Sequence, residues 1–214
     1  MTTDETVDAW LAQDPLPEEP AAIVEKWLSE AFQTKRQESP HAVALATVDP
    51  DGRPSVRMVL CSQIDAARGA FTMYSNRESR KGRALAADPR AAIAFHWPAR
   101  QARVEGRIEW TPDEVSDAYF AGRPLEARIG AWASRQSEPL ASRADLLAAV
   151  AAVQARFGAV REEDVVPRPP HWGGLTLVAE SIELWVSRVG RVHDRAVWTR
   201  PAPGETWTAT RLQP

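Results

Sequence analysis

Four basic side chains crowd the stretch from Asn76 to Ala84, which follows a strand-like apolar run and opens a helical pattern: Arg77, Arg80, Lys81 and Arg83. The first turn of a helix already carries about half a positive charge, so cations are electrostatically unfavourable there. An anion bound at this turn would remove the penalty, because free backbone N–H groups and basic side chains would converge on it. The stretch therefore predicts either an anion site or a solvated basic face that holds no ligand.

A second group of basic residues lies near the end of the chain, in the sequence Arg-Val-His-Asp-Arg at 191–195. If this segment is a strand, Arg191, His193 and Arg195 alternate and share one face. Three such groups on one face of a barrel are costly unless an anionic or aromatic ligand lies against them. The alternative is a solvent-facing strand whose arginines form ion pairs with Asp194 or Glu183.

The composition excludes several classes of protein. A net charge of −3 and a pI near 5.9 indicate no nucleic-acid or membrane partner. The one cysteine, Cys61, excludes an internal disulfide and a cysteine-based zinc site, and no metal site is expected. The segment before Lys26 is acidic, which is atypical of a signal peptide, so we expect a cytoplasmic protein. The longest apolar run, at 146–153, is far shorter than the roughly 20 residues that span a bilayer.

The residue patterns predict a mainly β fold with peripheral helices. Helical spacing occurs over 21–37, and helix-start signals occur at 111–114 and 142–145. Strand patterns occur at 42–48, 54–63, 69–75, 90–97, 101–110, 174–188, 191–199 and 206–212. Helices are too few to alternate with these strands, which favours an antiparallel barrel. Residues 1–19 are acidic and rich in proline and predict a flexible arm, whereas 20–214 read as a single domain.

Seven short motifs, in order along residues 20–214, resemble those of the FMN-dependent pyridoxine/pyridoxamine 5′-phosphate oxidases. They are RMVL at 57–60, MYSN with SRK at 73–81, RQ at 100–101, YF and RP at 119–124, IGAWASRQS at 129–137, PPHWGG at 169–174 and RVHDR at 191–195. The resemblance implies an FMN-binding split antiparallel β-barrel. It also implies a homodimer with two FMN sites at the interface between its subunits.

The resemblance assigns the cofactor-binding positions. Arg57, Arg80 and Lys81 would grip the FMN phosphate. Arg195 would lie near the pyrimidine edge of the flavin. The other positions would line the ribityl chain and the ring, partly from the second subunit: Met58, Val59, Leu60, Tyr74, Ser75, Gln101, Gln136, Ser137 and Trp172.

The resemblance also assigns a substrate site, and there this sequence departs from the family. Positions Arg191 and His193 would be catalytic and face the substrate ring, while Tyr119 and Arg123 would bind its phosphate. The family places a lysine and a serine, both phosphate contacts, at the two remaining substrate positions, which are Ser62 and Ala127 in this chain.

The expected reaction is the oxidation of pyridoxine or pyridoxamine 5′-phosphate to pyridoxal 5′-phosphate, with O2 as electron acceptor and H2O2 as product. The alternative is the same flavin chemistry on a non-phosphorylated heteroaromatic intermediate, as in the phenazine-biosynthesis oxidases of the family. A third possibility is a flavin-binding or storage protein without catalysis, against which the substrate-facing Arg191 and His193 argue.

Overall fold

The computed structural model describes residues 8–12, 14–158 and 161–214. The strands are β1 Ala42–Val48, β2 Pro54–Asp65, β3 Ala70–Asn76, β4 Arg90–Trp97, β5 Arg100–Trp110, β6 Trp172–Val186, β7 Asp194–Thr199 and β8 Thr208–Arg211. The α-helices are α1 Pro20–Thr34, α2 Arg80–Ala87, α3 Asp113–Ala121, α4 Leu125–Ala133 and α5 Arg143–Phe157. Short 3-10 turns lie at Ala9–Ala12 and Val189–Arg191.

The strands form one antiparallel sheet that closes into a barrel. Their order is β3-β2-β1-β4-β5-β6-β7-β8, and β3 also pairs with β6, so the first six strands in this order close on themselves. The 15 residues of β6 allow it to pair with β3 at its start, with β5 along most of its length and with β7 at its end. The predicted barrel with peripheral helices is confirmed.

Alternating side chains separate the barrel core from its outer face. In β1, β4 and β5 every second residue is buried, and interior side chains such as Leu45, Ile93 and Val104 are at most 1% exposed. Such alternation places one face of each strand in the core and the other outside. On β2 the outer face is apolar, since Val56, Met58 and Leu60 remain 68%, 64% and 50% exposed.

The chain between β6 and β7 differs from the predicted strand at 191–199. Strand β7 begins only at Asp194, and a 3-10 turn with positive φ at Gly190 (70°) and Arg191 (62°) precedes it. Positive φ is incompatible with an extended strand. The prediction that Arg191, His193 and Arg195 share one strand face is therefore wrong, and only Arg195 lies on β7.

The described residues before Pro20 pack against the barrel instead of standing free of it. Leu11 is fully buried, and Asp8 accepts a hydrogen bond of 3.0 Å from Trp27 Nε1. Asp14 forms a 3.0 Å ion pair with Arg211 of β8. These contacts differ from the flexible arm that the acidic composition predicts, because one leucine and two acidic side chains find partners on the fold. The division of the chain at residue 19 stays a prediction.

The ranges given above contain no helix with the length and apolar character needed to cross a membrane.

The pairing of β5 with β6 depends on one glycine. The register shifts between Glu105 and Gly106, and a Cβ atom at Gly106 would lie 2.0 Å from the carbonyl oxygen of Val178. Backbone cannot yield as a flexible side chain can, so we expect Gly106→Ala to lower the free energy of unfolding by about 2 kcal/mol or more. Urea denaturation measures the difference.

A matched control is Gly130→Ala in α4, where an added Cβ meets no atom within 4 Å. Removing a glycine from a helix interior should raise the free energy of unfolding by about 0.5–1 kcal/mol. Equal stability of the two variants would contradict the importance of the close approach at Gly106.

Candidate functional site

A cleft of about 610 Å³ opens beside the outer face of β2, the end of β3 and the start of α2. Most residues that the sequence assigns to a cofactor line it: Arg57, Met58, Val59, Leu60, Tyr74, Ser75, Arg80, Lys81, Gln136, Ser137 and Trp172. Three of the residues assigned to a substrate line it too: Ser62, Tyr119 and Arg123. The fold thus brings residues from five separate motifs into one cavity, which we call the first cleft.

Arg57 is fixed at one end of this cleft by neutral acceptors. Its Nη1 donates to the Leu45 carbonyl and the Thr47 hydroxyl, both at 2.9 Å, and its Nη2 donates to Ser55 Oγ at 2.8 Å. Burial lowers the pKa of the Arg57 guanidinium. No described carboxylate forms an ion pair with Arg57, so its charge is available to a ligand.

Lys81 lies beside Arg57 and is only 7% exposed. Its Nζ donates to Ser79 Oγ at 3.1 Å and to Gln136 Oε1 at 2.8 Å. Burial, with a contribution from Arg57, lowers the pKa of Lys81 from 10.5 to about 8. Two cations held together among neutral groups repel each other and would be stabilised by an anion.

The start of α2 adds backbone donors to these cations. Ser79 caps the helix by accepting a hydrogen bond from the Gly82 N–H at 3.3 Å. The positive end of the helix therefore faces the same region as Lys81. Of the two readings that the sequence leaves open, the buried lysine fits an anion site better than a solvated basic face.

Arg80 differs from its neighbour, because it already has a carboxylate partner. Its Nε lies 3.0 Å from Asp49 Oδ2, on the turn between β1 and β2, and its side chain is 59% exposed. The hydrogen bond from Arg80 lowers the pKa of Asp49. Arg80 thus stands at the rim of the first cleft with part of its charge neutralised.

An aromatic stack forms the other end of the first cleft. The rings of Tyr74 and Tyr119 lie 3.7 Å apart and nearly parallel, and Trp172 stacks on Tyr74 at 5.3 Å. The guanidinium of Arg123 lies 4.7 Å from the Trp172 ring centre. Burial lowers the pKa of Arg123, and no carboxylate in the described ranges pairs with it. This end offers a cation on a flat aromatic surface.

Two substrate positions that depart from the family are in contact with this stack. The hydroxyls of Ser62 and Tyr119 lie 3.0 Å apart, and Arg123 Nη1 donates to the backbone carbonyl of Ala127 at 3.2 Å. Ala127 itself does not line the cleft, and its side chain brings no polar group. The cation of Arg123 is therefore supported by neutral groups alone.

The remaining predicted residues lie around a second, smaller cleft of about 270 Å³. Gln101 and Arg195 line it, together with Trp185, Arg103 and Glu183. Arg195 forms a 2.7 Å ion pair with Glu183, which confirms one of the ion pairs that the sequence left open. We call this cavity the second cleft.

The catalytic candidates lie next to the second cleft but do not line it. The His193 ring lies 4.5 Å from the ring of Trp185, and its Nδ1 accepts a hydrogen bond of 3.1 Å from the Arg188 N–H. Arg191 is exposed on the preceding turn.

Trp185 is a candidate that the motifs did not identify. It sits late in the long apolar run of β6, where nothing in the sequence separates it from a core residue. Sheet pairing does: Trp185 stands opposite Gln101 on β5 and opposite Arg195 on β7. By contrast, Trp172 is only 6% exposed, so little of its ring is open to a ligand.

The two clefts are separate in a single chain. Met58 of the first and Arg103 of the second belong to one row across the sheet, with Ala44 and Ala94 between them. Three strand spacings amount to about 14 Å. The chain therefore carries an anion-binding half of a site and an arginine-tryptophan half on the same outer face.

Comparison with known proteins matches nearly the whole chain. A family model described as pyridoxamine 5′-phosphate oxidase covers residues 28–157, and one described as the pyridoxine 5′-phosphate oxidase C-terminal dimerisation region covers 172–214. A protein of Burkholderia lata named pyridoxine/pyridoxamine 5′-phosphate oxidase is 50% identical over 96% of this chain and 94% of its own. One of the same name from Anaeromyxobacter dehalogenans is 51% identical over 94% and 100%.

Solved structures agree with these matches. PhzG from Burkholderia lata, in complex with tetrahydrophenazine-1-carboxylic acid, is 32% identical, covers 97% of this chain and 96% of its own, and superposes with a TM-score of 0.84. An FMN-binding protein of Nostoc punctiforme related to pyridoxamine 5′-phosphate oxidase covers 89% and 96% at a TM-score of 0.69. At 16% identity, that second likeness concerns the fold alone.

Anion binding in the first cleft should weaken as the pH rises above 8. The free site loses the charge of Lys81 above its pKa of about 8, so the dissociation constant for FMN should rise by up to about tenfold per pH unit there. Fluorescence quenching of FMN between pH 7 and 9.5 measures it. The variant Lys81→Arg stays protonated and should show a flat profile. A flat wild-type profile would contradict the assignment of Lys81.

Proposed function

Because the chain belongs to the pyridoxamine 5′-phosphate oxidase family, we propose that it is an FMN-dependent oxidase that converts pyridoxine or pyridoxamine 5′-phosphate to pyridoxal 5′-phosphate. The observation that carries the proposal is the first cleft, which has unpaired cations at both ends. FMN, when bound, accepts two electrons from the substrate as hydride and passes them to O2, which leaves as H2O2. The chain itself supplies binding, orientation and charge.

Arg57 and Lys81 would hold the FMN phosphate. Both are fixed by neutral hydrogen-bond acceptors at 2.8–3.1 Å, so neither needs to be released from a carboxylate. Charge-assisted bonds to a phosphate are stronger than the neutral bonds they would join. Arg80 would close the rim, while Met58 and Leu60 offer an exposed apolar surface to the rest of the cofactor.

The second cleft would hold the pyrimidine edge of the ring. Gln101 offers an amide and Arg195 a guanidinium beside the half-buried ring of Trp185. A cation there favours the negative charge that the cofactor gains on reduction. Arg191 and His193, on the turn beside this cleft, would face the substrate ring.

Tyr119 and Arg123 would bind the phosphate of the substrate. Arg123 is a half-buried cation whose polar partner is a backbone carbonyl. The hydroxyl of Tyr119 would have to exchange its contact with Ser62 for one with the phosphate, or share it. The stack of Tyr74 and Tyr119 offers a flat surface beside an aromatic substrate.

We also infer that the working site is assembled from two chains in a homodimer. The two clefts lie about 14 Å apart on one outer face, and the exposed apolar side chains of β2 lie on that face. The region at 172–214 matches a dimerisation region. A two-fold axis across this face would set the first cleft of one chain against the second cleft of its partner.

A second candidate substrate is a non-phosphorylated heteroaromatic acid. Ser62 and Ala127 bring no charge to the substrate end, so Arg123 faces any anion with help from Tyr119 alone. A carboxylate carries less charge than a phosphate and needs fewer donors. PhzG, which was solved with a tricyclic carboxylic acid, shares 32% of its sequence with this chain.

Steady-state kinetics separate the two substrates. If the vitamin phosphate is the substrate, Ser62→Lys with Ala127→Ser should raise kcat/KM by roughly tenfold or more, which corresponds to about 1.4 kcal/mol. If the substrate lacks a phosphate, the wild type should turn over pyridoxine 5′-phosphate poorly even at saturation.

The control is Gln63→Lys, which adds the same charge one residue further along β2, where the side chain is exposed and does not line the first cleft. It should leave kcat/KM unchanged. Efficient wild-type turnover that the double substitution does not alter would show that these two positions do not set substrate choice.

Complementation tests the shared site. Lys81→Ala disables the first cleft and Arg195→Ala the second, so each homodimer should be nearly inactive. In a mixed dimer, the intact clefts of the two chains meet at one of the two sites, and an equal mixture should recover about a quarter of wild-type activity. Light scattering should give about twice the 23.6 kDa chain mass. A mixture that recovers nothing would place each whole site within one chain.

A further inference from the structure

Glu183 is a buried carboxylate that lies between two arginines at the second cleft. Its side chain is 8% exposed, and its Oε1 accepts hydrogen bonds from Arg195 Nε at 3.0 Å and Nη2 at 2.7 Å. Its Oε2 lies 2.7 Å from Arg103 Nη2 in an ion pair without an aligned hydrogen bond. The three side chains together carry a net charge of about +1.

The sheet explains why these three residues meet. Glu183 is directly opposite Arg103 on β5, and on its other side β7 places Arg195 two residues away from the directly opposed position. Direct and diagonal neighbours on one face of a sheet are within reach of long side chains. The triad is therefore fixed by backbone pairing and does not depend on a mobile loop.

We propose that Glu183 is a positioning residue for Arg195, and that it sets the net charge which the second cleft presents to the flavin. This inference rests on the proposed function, in which Arg195 faces the pyrimidine edge. Glu183 holds the guanidinium through two of its nitrogens, while Nη1 donates to the Gln213 carbonyl at 2.8 Å. Without the carboxylate, Arg195 and Arg103 would repel each other and Arg195 would lose its orientation.

The charge arithmetic gives opposite signs for two substitutions. Removing the carboxylate raises the net charge of the triad to about +2, and removing Arg103 lowers it to about zero. Reduction adds negative charge to the cofactor, so a more positive triad favours the reduced form and a neutral one disfavours it. Arg103 is 54% exposed and Arg195 27%, so solvent reduces both effects without changing their sign.

The test measures the midpoint potential of bound FMN and the dissociation constant for FMN in Glu183→Gln, Arg103→Gln and the wild type. We expect Glu183→Gln to raise the potential and Arg103→Gln to lower it. Each shift should reflect at least a threefold change in the affinity of reduced relative to oxidised FMN, and a tenfold change corresponds to about 30 mV.

The matched control is Glu105→Gln. Glu105 also pairs with Arg103, at 3.1 Å, but lies on the exposed side of that arginine and is not among the partners of Arg195. Its substitution should leave the potential unchanged. A purely structural role for Glu183 would not produce shifts of opposite sign in the two test variants.

The outcomes distinguish this inference from the proposed function. Wild-type protein that binds no FMN would overturn both. Protein that binds FMN but shows no shift, or shifts of the same sign, would overturn only the role of Glu183. If Glu183→Gln does not fold, Arg103→Gln decides, because it keeps the pair of Glu183 and Arg195 and must still lower the potential.

Discussion

Strand β6 hydrogen-bonds to three other strands, and both clefts depend on those pairings. Its first residues pair with β3, which places Trp172 beside Tyr74 and closes the barrel. Its last residues pair with β5 and β7, which brings Trp185 between Gln101 and Arg195. A closed barrel has no free edge between its first and last strands, so neither cleft can shift without breaking several backbone hydrogen bonds. This rigidity supports the precise placement that a flavin site needs.

The cations of the site fall into two electrostatic classes. Arg80 and Arg195 are paired with carboxylates at 2.5–3.0 Å, so their charge is partly neutralised before any ligand arrives. Arg57, Lys81 and Arg123 have neutral partners and lose solvation through burial, which lowers the pKa of each. Unpaired, partly buried cations have the most to gain from an anion. The second class therefore provides affinity, while the first provides orientation and adjusts charge.

Local patterns were sufficient to predict much of the fold. Strands β1 and β4 agree with their predicted bounds, because alternation and the flanking turn residues define them within a few positions. The cap at Ser142 and the end of α5 at Gly158 follow from residue types alone. The anion end of the first cleft was predictable for the same reason, since its basic residues are adjacent in sequence.

Features that depend on distant pairing could not be predicted in this way. The partnership of Asp49 with Arg80 joins a hairpin turn to a helix 31 residues away. The positive φ of Arg191 breaks an alternation that reads as a continuous strand. Trp185 becomes a site candidate only when its neighbours on β5 and β7 are known. In each case the deciding contact lies across the sheet or at a turn, where sequence spacing carries little information.

The two ends of the first cleft rest on different parts of the fold, and this has consequences for specificity. Arg57 is anchored to β1 and β2, and Lys81 to the cap of α2, so the cofactor end belongs to the barrel. Arg123 lies between α3 and α4, and Tyr119 lies on α3, so the substrate end belongs to helices outside the barrel. Substitutions at Ser62 and Ala127 alter the surroundings of Tyr119 and Arg123 without touching any partner of Arg57 or Lys81. The substrate of such a protein can therefore change while its cofactor site stays the same, which is consistent with one family containing relatives named for a vitamin phosphate and a relative solved with a tricyclic acid.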